Sequence, residues 1–174
     1  HRISQSFSVG AIAQDICCAF AVRAASRTFC AIEIIVDGGS AAAHFDLSAG
    51  SISTPAAASG NMQNARAFIR NLGNGWYYCC VIGRKTGSET SVTSRLYAAA
   101  QNGNAEYTGT NGLDALLAWR ATAAPSSVPT RLVRTTTAAT TGTAQTGSAL
   151  HVKGGPANLS GALLPGDQFE VITS

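Results

Sequence analysis

Residues 65–84 read ARAFIRNLGNGWYYCCVIGR and carry the strongest fold signal in the chain. Two runs of β-forming residues flank the tripeptide Gly73-Asn74-Gly75. Asn-Gly favours a two-residue type I′ turn, because both central positions need a positive φ that Asn and Gly tolerate best. The stretch therefore predicts a β-hairpin, although residues 65–72 taken alone would also suit a helix.

The outgoing strand of this hairpin is apolar or aromatic on both faces. Successive residues of a strand point to opposite sides, so Trp76 and Tyr78 alternate with Tyr77 and Cys79. A strand with two apolar faces is typical of the interior of a sheet. We therefore expect this strand to have neighbours on both sides.

Short β-type runs recur along the rest of the chain, at intervals of roughly 8–12 residues. The run at 28–37 is the richest in β-branched residues and predicts a central strand, whereas the small residues at 55–64 predict a loop. The predicted strands cover 3–9, 15–23, 28–37, 43–47, 51–54, 65–72, 76–82, 90–99 and 113–120. Without a long helical pattern, this predicts an all-β antiparallel β-sandwich, most simply a jelly roll.

Composition narrows the class of protein. Hydrophobic residues make up 45% of the 174 residues and charged residues only 12%, about half the usual charged share. Such a composition is typical of all-β proteins in extracellular or virion assemblies. The net charge is +3, but the basic residues never form a run, so we predict no nucleic-acid partner. No apolar stretch reaches the roughly 20 residues of a bilayer span, so we predict no membrane insertion.

The chain divides at a change of composition near residue 121. We expect a jelly-roll domain over 1–134, a Thr/Ala/Gly-rich linker over 135–147, and a partial small β segment over 148–174. The chain opens at His1 without an initiator Met and closes on a strand-like sequence. We interpret it as part of a longer polypeptide.

Four of the five cysteines form two adjacent pairs, Cys17-Cys18 and Cys79-Cys80. A bond between neighbours would break a strand, and a bridge between the two strands is geometrically open. Buried free thiols in a protein assembled in a reducing cytoplasm are the favoured interpretation. No cysteine or histidine spacing suggests zinc, and we predict no metal and no cofactor.

Three pieces of sequence, taken together, resemble a known family. They are FDLSAG at 45–50, GNGWY at 73–77, and EYTGTNG at 106–112 with LLAW at 116–119, ahead of Pro129-Thr130. In combination they are similar to the lectin-like, concanavalin A-type jelly-roll module of bacteriophage tail and fibre proteins. The resemblance covers about residues 3–134 and implies a virion protein, assembled in the host cytoplasm, that recognises host glycans.

Residues 145–171 separately resemble a short β segment of phage tail proteins. The core of this segment, LLPGDQF at 163–169, predicts a turn at Pro165-Gly166 ahead of a strand. Together the two resemblances imply a tail, fibre or tail-tip component with other virion proteins as partners, in a homo-oligomer for which a trimer is favoured. The alternative is a purely architectural head-decoration or baseplate part that binds no sugar.

Sugar binding needs aromatic faces for the CH groups and polar side chains for the hydroxyl groups. The chain offers both in the region that follows residue 90. The candidate sugar-binding residues are Tyr97, Tyr107, Trp119, Arg95, Asn111 and Asp114. A competing interpretation makes Trp76 and Trp119 core residues that pack the two sheets together.

Catalysis has little support in the sequence, and we predict no catalytic residues. The weakest hypothesis is a glycan depolymerase, for which Glu33 with Asp46 or Asp114 is the one carboxylate pair worth testing. His44 and Asp46 share a strand face and would suit a metal, but a surface pair is favoured.

Overall fold

The computed structural model describes residues 2–99, 114–131 and 170–173, with Asp114 and residues 170–173 described by their backbone. These residues form ten β-strands and contain no helix, and hence no helix that would cross a membrane. The strands are β1 (Arg2–Ser8), β2 (Gln14–Ala24), β3 (Phe29–Val36), β4 (Gly39–Asp46), β5 (Ser51–Gly60), β6 (Met62–Gly73), β7 (Trp76–Lys85), β8 (Ser91–Ala99), β9 (Asp114–Pro125) and β10 (Glu170–Thr173).

The ten strands form two five-stranded antiparallel sheets. The first sheet has the order β1-β8-β3-β4-β5 and the second has the order β10-β9-β2-β7-β6. One face of each sheet contributes to a shared core that includes Phe20 and Val81 from the second sheet and Ile32, Phe45 and Leu96 from the first. The prediction of an all-β protein with two antiparallel layers is confirmed, and β3 is central as expected.

The predicted hairpin is present. Asn74 and Gly75 have φ values of 51° and 76°, the positive values that a type I′ turn requires. Its incoming arm is strand β6 rather than a helix, and its outgoing arm β7 lies between β2 and β6. The expectation that β7 occupies the interior of a sheet is confirmed.

The expected loop at 55–64 is wrong. Strand β5 continues through Pro55 to Gly60, and β6 begins at Met62. The register of β5 against β4 shifts between Ala42 and His44, which leaves Pro55 in a bulge of an edge strand, where a missing N–H is tolerated. The small side chains that suggest a loop here pair instead with the equally small side chains of β4.

The chain passes from the first sheet to the second at a tight corner between β5 and β6. Asn61 donates its backbone N–H to Gly38 O at 3.1 Å and its side-chain N–H to Asp37 O at 3.0 Å. Gly60 has a φ of 56° and lies against the β3–β4 turn so closely that a Cβ would overlap the Gly38 carbonyl oxygen. The backbone of the β5–β6 turn therefore packs directly against the backbone of the β3–β4 turn.

Strand β9 confirms the returning strand predicted at 113–120 and extends it to Pro125. Strand β10 pairs with β9 at the edge of the second sheet, so the strand-like end of the chain is confirmed for residues 170–173. The predicted loops at 102–104 and 109–112, the linker at 135–147, and the turn at Pro165-Gly166 lie outside the described residues.

Candidate functional site

The outer face of the first sheet carries a cluster of three polar side chains, Glu33, Arg95 and Tyr97. Strands β3 and β8 place them together, because Glu33 pairs with Arg95 and Tyr97 follows on the same face of β8. The Tyr97 hydroxyl donates to Glu33 Oε2 at 2.6 Å, and Arg95 Nη1 donates to the Tyr97 oxygen at 3.2 Å. Arg95 also lies 3.6 Å from Glu33 as an ion pair. These contacts lock the three groups to one another.

Partial burial, followed by the hydrogen bond to Glu33, raises the pKa of Tyr97 above its ordinary value of 10.0. The Tyr97 hydroxyl is therefore held as a donor. The pKa of Tyr97 is higher in the folded than in the unfolded protein, so the protonated hydroxyl stabilises the fold. This stabilisation is complete below the unfolded pKa, near pH 10, and is lost as the pH rises through the pKa of Tyr97 in the folded protein.

We expect Tyr97→Phe to lower the free energy of unfolding by about 1.5 kcal/mol at pH 7, because Glu33 loses a charge-assisted hydrogen bond. The difference from wild type should narrow above pH 10, where the unfolded wild-type tyrosine ionises. Urea titration followed by circular dichroism at pH 7 and pH 11 measures both effects. Tyr77→Phe is the matched control, since the Tyr77 hydroxyl has no hydrogen bond among the described residues. Equal losses in the two variants would contradict the assignment.

Asp46 and His44, the pair considered for a metal, have separate roles. Asp46 Oδ1 accepts hydrogen bonds from Ser48 N at 2.8 Å, Ser48 Oγ at 2.5 Å and Ala49 N at 3.1 Å. The Ser48 hydroxyl bond and these backbone bonds lower the pKa of Asp46, whereas burial lowers the pKa of His44. In the part of the chain that the structure describes, no three His, Cys, Asp or Glu side chains are grouped to hold a metal.

The carboxylate pair considered for glycoside hydrolysis lacks the required spacing. Asp46 pairs with Phe29, four positions along β3 from Glu33, which corresponds to about 13 Å along the strand. Glycosidase carboxylates lie roughly 5–10 Å apart. Asp114 begins β9 in the other sheet, so it does not share this face with Glu33 either.

The three candidate sugar-binding residues whose side chains the structure describes do not lie together. Arg95 and Tyr97 lie together on the first sheet, but Trp119 lies on β9 in the second sheet. Asp114 is described by its backbone alone, and Tyr107 and Asn111 lie outside the described residues. A single site built from Tyr97, Arg95 and Trp119 is therefore wrong, because β8 and β9 belong to opposite layers.

The interpretation of Trp76 and Trp119 as packing between the sheets is also wrong, although both side chains are buried. The core lies on the Cys79 and Val81 side of β7, so Trp76 and Tyr78 point to the outer face. The two tryptophan rings pack edge to face there, with centroids 6.1 Å apart and planes at 66°. The outer face of the second sheet thus has an aromatic layer of its own.

A row of side chains crosses four strands on this outer face. Strand register places Arg70 beside Tyr78, Tyr78 beside Ala21, and Ala21 beside Trp119. The small Ala21 separates the two aromatic residues. Arg70 Cζ lies 5.7 Å from the centroid of the Tyr78 ring, and Arg120 Cζ lies 4.1 Å from the Trp119 ring.

Residues 126–131 cross the same face as a strap that follows β9. The Tyr78 hydroxyl donates to Thr130 O at 2.7 Å, Arg66 Nη2 donates to Ser127 O at 3.1 Å, and Ser126 N donates to Asp15 O at 3.0 Å. Between this strap and β6 lies a groove of about 770 Å³. Its lining residues are Phe68, Ile69, Arg70, Leu72, Tyr78, Trp119, Arg120, Pro129, Thr130 and Arg131.

Arginines that are far apart in the sequence gather on this face. They are Arg23, Arg66, Arg70, Arg84, Arg120 and Arg131. Asp15 forms ion pairs with Arg66 at 3.1 Å and Arg84 at 3.2 Å, both at the end of the sheet away from Trp76. No described carboxylate pairs with the arginines that line the groove. The described lining of the groove is therefore positively charged.

The cysteines are free and buried, as favoured from the sequence. Cys17 Sγ lies 3.3 Å from Cys80 Sγ and 3.5 Å from Thr130 Oγ1, under the strap. The hydrogen bond with Cys80 lowers the pKa of Cys17 to about 6 and raises the pKa of Cys80. Cys17 and Cys80 are not directly paired across β2 and β7: Cys17 pairs with Ile82, and Cys80 pairs with Ala19.

Sequence reasoning missed Phe68, Arg70, Tyr78 and Arg120 as groove residues. A signal for two of them is present in β6, where Phe68, Arg70 and Leu72 alternate with the inward Ala67 and Ile69. Arg120 gives no such signal, because a bulge in β9 determines its direction.

The fold and the site together define an all-β protein with two antiparallel sheets and a cationic, partly aromatic groove on one outer face. No protein-family model matches the chain, and no curated protein shows significant sequence similarity to it.

Proposed function

We propose that this protein is a component of a bacteriophage virion, in the tail, fibre or tail tip, and that it binds host-cell glycans without chemical turnover. The sequence pieces at 45–50, 73–77 and 106–119, together with the low share of charged residues, support the virion setting. The protein acts within a homo-oligomer, with a trimer favoured, alongside other virion proteins.

The finer fold assignment, a concanavalin A-like jelly roll, belongs to the same proposal. Strand β1 pairs with β8 in the first sheet, whereas β2 pairs with β7 in the second. Strands β1, β2 and β3 alternate between the layers, as do β7, β8 and β9, whereas β3, β4 and β5 follow one another in the first sheet. This alternation supports a jelly-roll path.

The groove on the second sheet carries the functional part of the proposal. Its volume of about 770 Å³ falls within the roughly 300–1,000 Å³ of ordinary ligand sites. Phe68 is 37% exposed and offers an aromatic ring at the groove. Arg70, Arg120 and Thr130 add polar groups for hydroxyl oxygens. Apolar rings beside hydrogen-bond donors are the combination that saccharides require.

We expect Phe68→Ala to weaken glycan binding about tenfold, because a stacking contact of about 1.4 kcal/mol is lost. An array of immobilised bacterial surface saccharides identifies the bound glycan, and titration calorimetry measures its affinity. Ile52→Ala is the matched control: Ile52 is 36% exposed and lies on the first sheet. It should bind as wild type does.

Two outcomes would overturn the glycan proposal. One is a folded wild-type protein that binds no saccharide on the array. The other is a hit that Phe68→Ala and Ile52→Ala weaken equally. Either result would favour the architectural alternative, a module that contacts other virion proteins through this face.

A further inference from the structure

The charged residues in the described part of the groove lining have one sign of charge. Arg70, Arg120 and Arg131 line it, and its described lining contains no Asp or Glu. The ion pairs of Asp15 lie with Arg66 and Arg84, outside this lining. Arg70 lies on β6 and Arg120 on β9, three strand positions away, so the groove presents two separate positive groups that would attract an anion.

Two of the three aromatic rings that line the groove, those of Trp119 and Tyr78, are covered by arginines, which leaves Phe68 for stacking. The Arg120 guanidinium lies 4.1 Å from the centroid of the Trp119 ring, and the Arg70 guanidinium lies 5.7 Å from that of Tyr78. Trp119 itself is only 5% exposed. A stacked guanidinium keeps its N–H edge free for acceptors in its own plane. At these two rings the groove therefore presents the N–H groups of arginine to a ligand, in place of an aromatic face.

The backbone of Arg120 is held in an unfavourable conformation. Its φ is 50°, in the left-handed region that a residue with a long side chain rarely adopts, and it lies at the register shift of β9 against β2. Its Nε is buried and has no hydrogen-bond partner among the described residues. Strain together with an unsatisfied donor is typical of a position maintained for a ligand.

We propose that the groove binds acidic saccharides, whose carboxylate groups are held by the guanidinium groups of Arg70 and Arg120. The inference rests on the proposed glycan-binding function and specifies its ligand class. A carboxylate matches the planar fork of a guanidinium and forms two parallel hydrogen bonds with it. Phe68 and Leu72 contact the apolar face of the same sugar ring.

Pairs of saccharides that differ in the acidic group alone provide the test. The first pair is oligogalacturonate and its methyl ester; sialylated and desialylated, and sulfated and unsulfated, oligosaccharides form further pairs. A single-stranded DNA oligonucleotide of the same charge serves as the non-saccharide polyanion. Binding of the full chain is measured by titration calorimetry at 150 mM salt, where purely long-range attraction is screened.

The acidic member of at least one pair should bind about tenfold more tightly than its neutral partner. Arg70→Gln and Arg120→Gln should each remove most of that difference, because each weakens binding of the acidic member more than binding of its neutral partner. Arg120→Lys should not restore it, because lysine lacks the planar fork. Arg2→Gln is the charge-matched control on the outer face of the first sheet and should bind as wild type does.

The outcomes separate this inference from the function on which it rests. Equal binding within every pair, or full affinity in both arginine variants, overturns the acidic ligand and leaves glycan binding standing. Absence of binding to any saccharide overturns both. Tighter binding of the oligonucleotide than of every saccharide overturns the inference in favour of nucleic acid. Should Arg120→Gln fail to fold, Arg70→Gln provides the test alone.

Discussion

Gly60→Ala is expected to lower the free energy of unfolding by about 4 kcal/mol. The left-handed backbone at this position costs a residue with a Cβ about 1–2 kcal/mol, and overlap with packed atoms typically costs another 1–3 kcal/mol. The atom that a Cβ would meet is the backbone carbonyl oxygen of Gly38. A carbonyl in a hydrogen-bonded turn has no rotamer through which to move away.

The loss should spread beyond the corner, because Asn61 connects three segments there. Its N–H groups bond the β3–β4 turn, and its carbonyl accepts a hydrogen bond from Thr86 N at the end of β7. A thermal melt should show a Tm about 12 °C below wild type. Gly10→Ala is the control, since its Cβ would meet only ordinary contacts at 3.7 and 3.8 Å. A Tm within about 3 °C of wild type in Gly60→Ala would contradict the corner's role.

Trp119→Ala is expected to destabilise the fold by about 4 kcal/mol, the usual loss for a buried tryptophan. The ring packs against Trp76 and under Arg120, and a cavity would open beneath the groove. Trp119→Phe retains a ring in this position and should lose about half as much. Urea unfolding followed by far-ultraviolet circular dichroism compares the variants without relying on tryptophan fluorescence.

The Trp119 variants also distinguish two roles for this ring, namely contact with a ligand and packing against Trp76 on the outer face of the sheet. A ring that serves a ligand alone would leave stability unchanged on truncation, whereas a packing ring would not. Unfolding midpoints of Trp119→Ala and wild type that agree within about 0.3 M urea would refute the packing role. The 5% exposure of the side chain is the basis for the expected loss.

The sequence predicts the parts of the fold that local chemistry controls. Asn74 and Gly75 tolerate positive φ, so the hairpin and its two arms follow from a few residues. The stretch 55–64 shows the opposite case. Its Ala and Ser residues have weak β propensity, and their pairing with the small residues of β4 forms the strand. That pairing joins residues that are far apart in the sequence, so it cannot be predicted from the local stretch alone.

The candidate site shows the same division between local and distant effects. Arg95 and Tyr97 lie together because residues two apart share a strand face, which is a local property of the sequence. The sequence does not show whether Trp119 lies on the same sheet as these two residues, since the sheet to which a strand belongs depends on the path of the whole chain. The arginines form no run in the sequence, yet strands β2, β6, β7 and β9 bring them to one face.

Strand β6 has a consequence for how copies of the protein behave in solution. It is twelve residues long and lies at the described edge of its sheet, so its unpaired backbone groups would accept a strand from another molecule. Arg70 on that edge forms no ion pair with a described carboxylate, so it would repel the same strand of a second copy and oppose aggregation. Removing the charge of Arg70 should therefore increase self-association of the protein as well as weaken ligand binding. Light scattering should accompany every titration of Arg70→Gln.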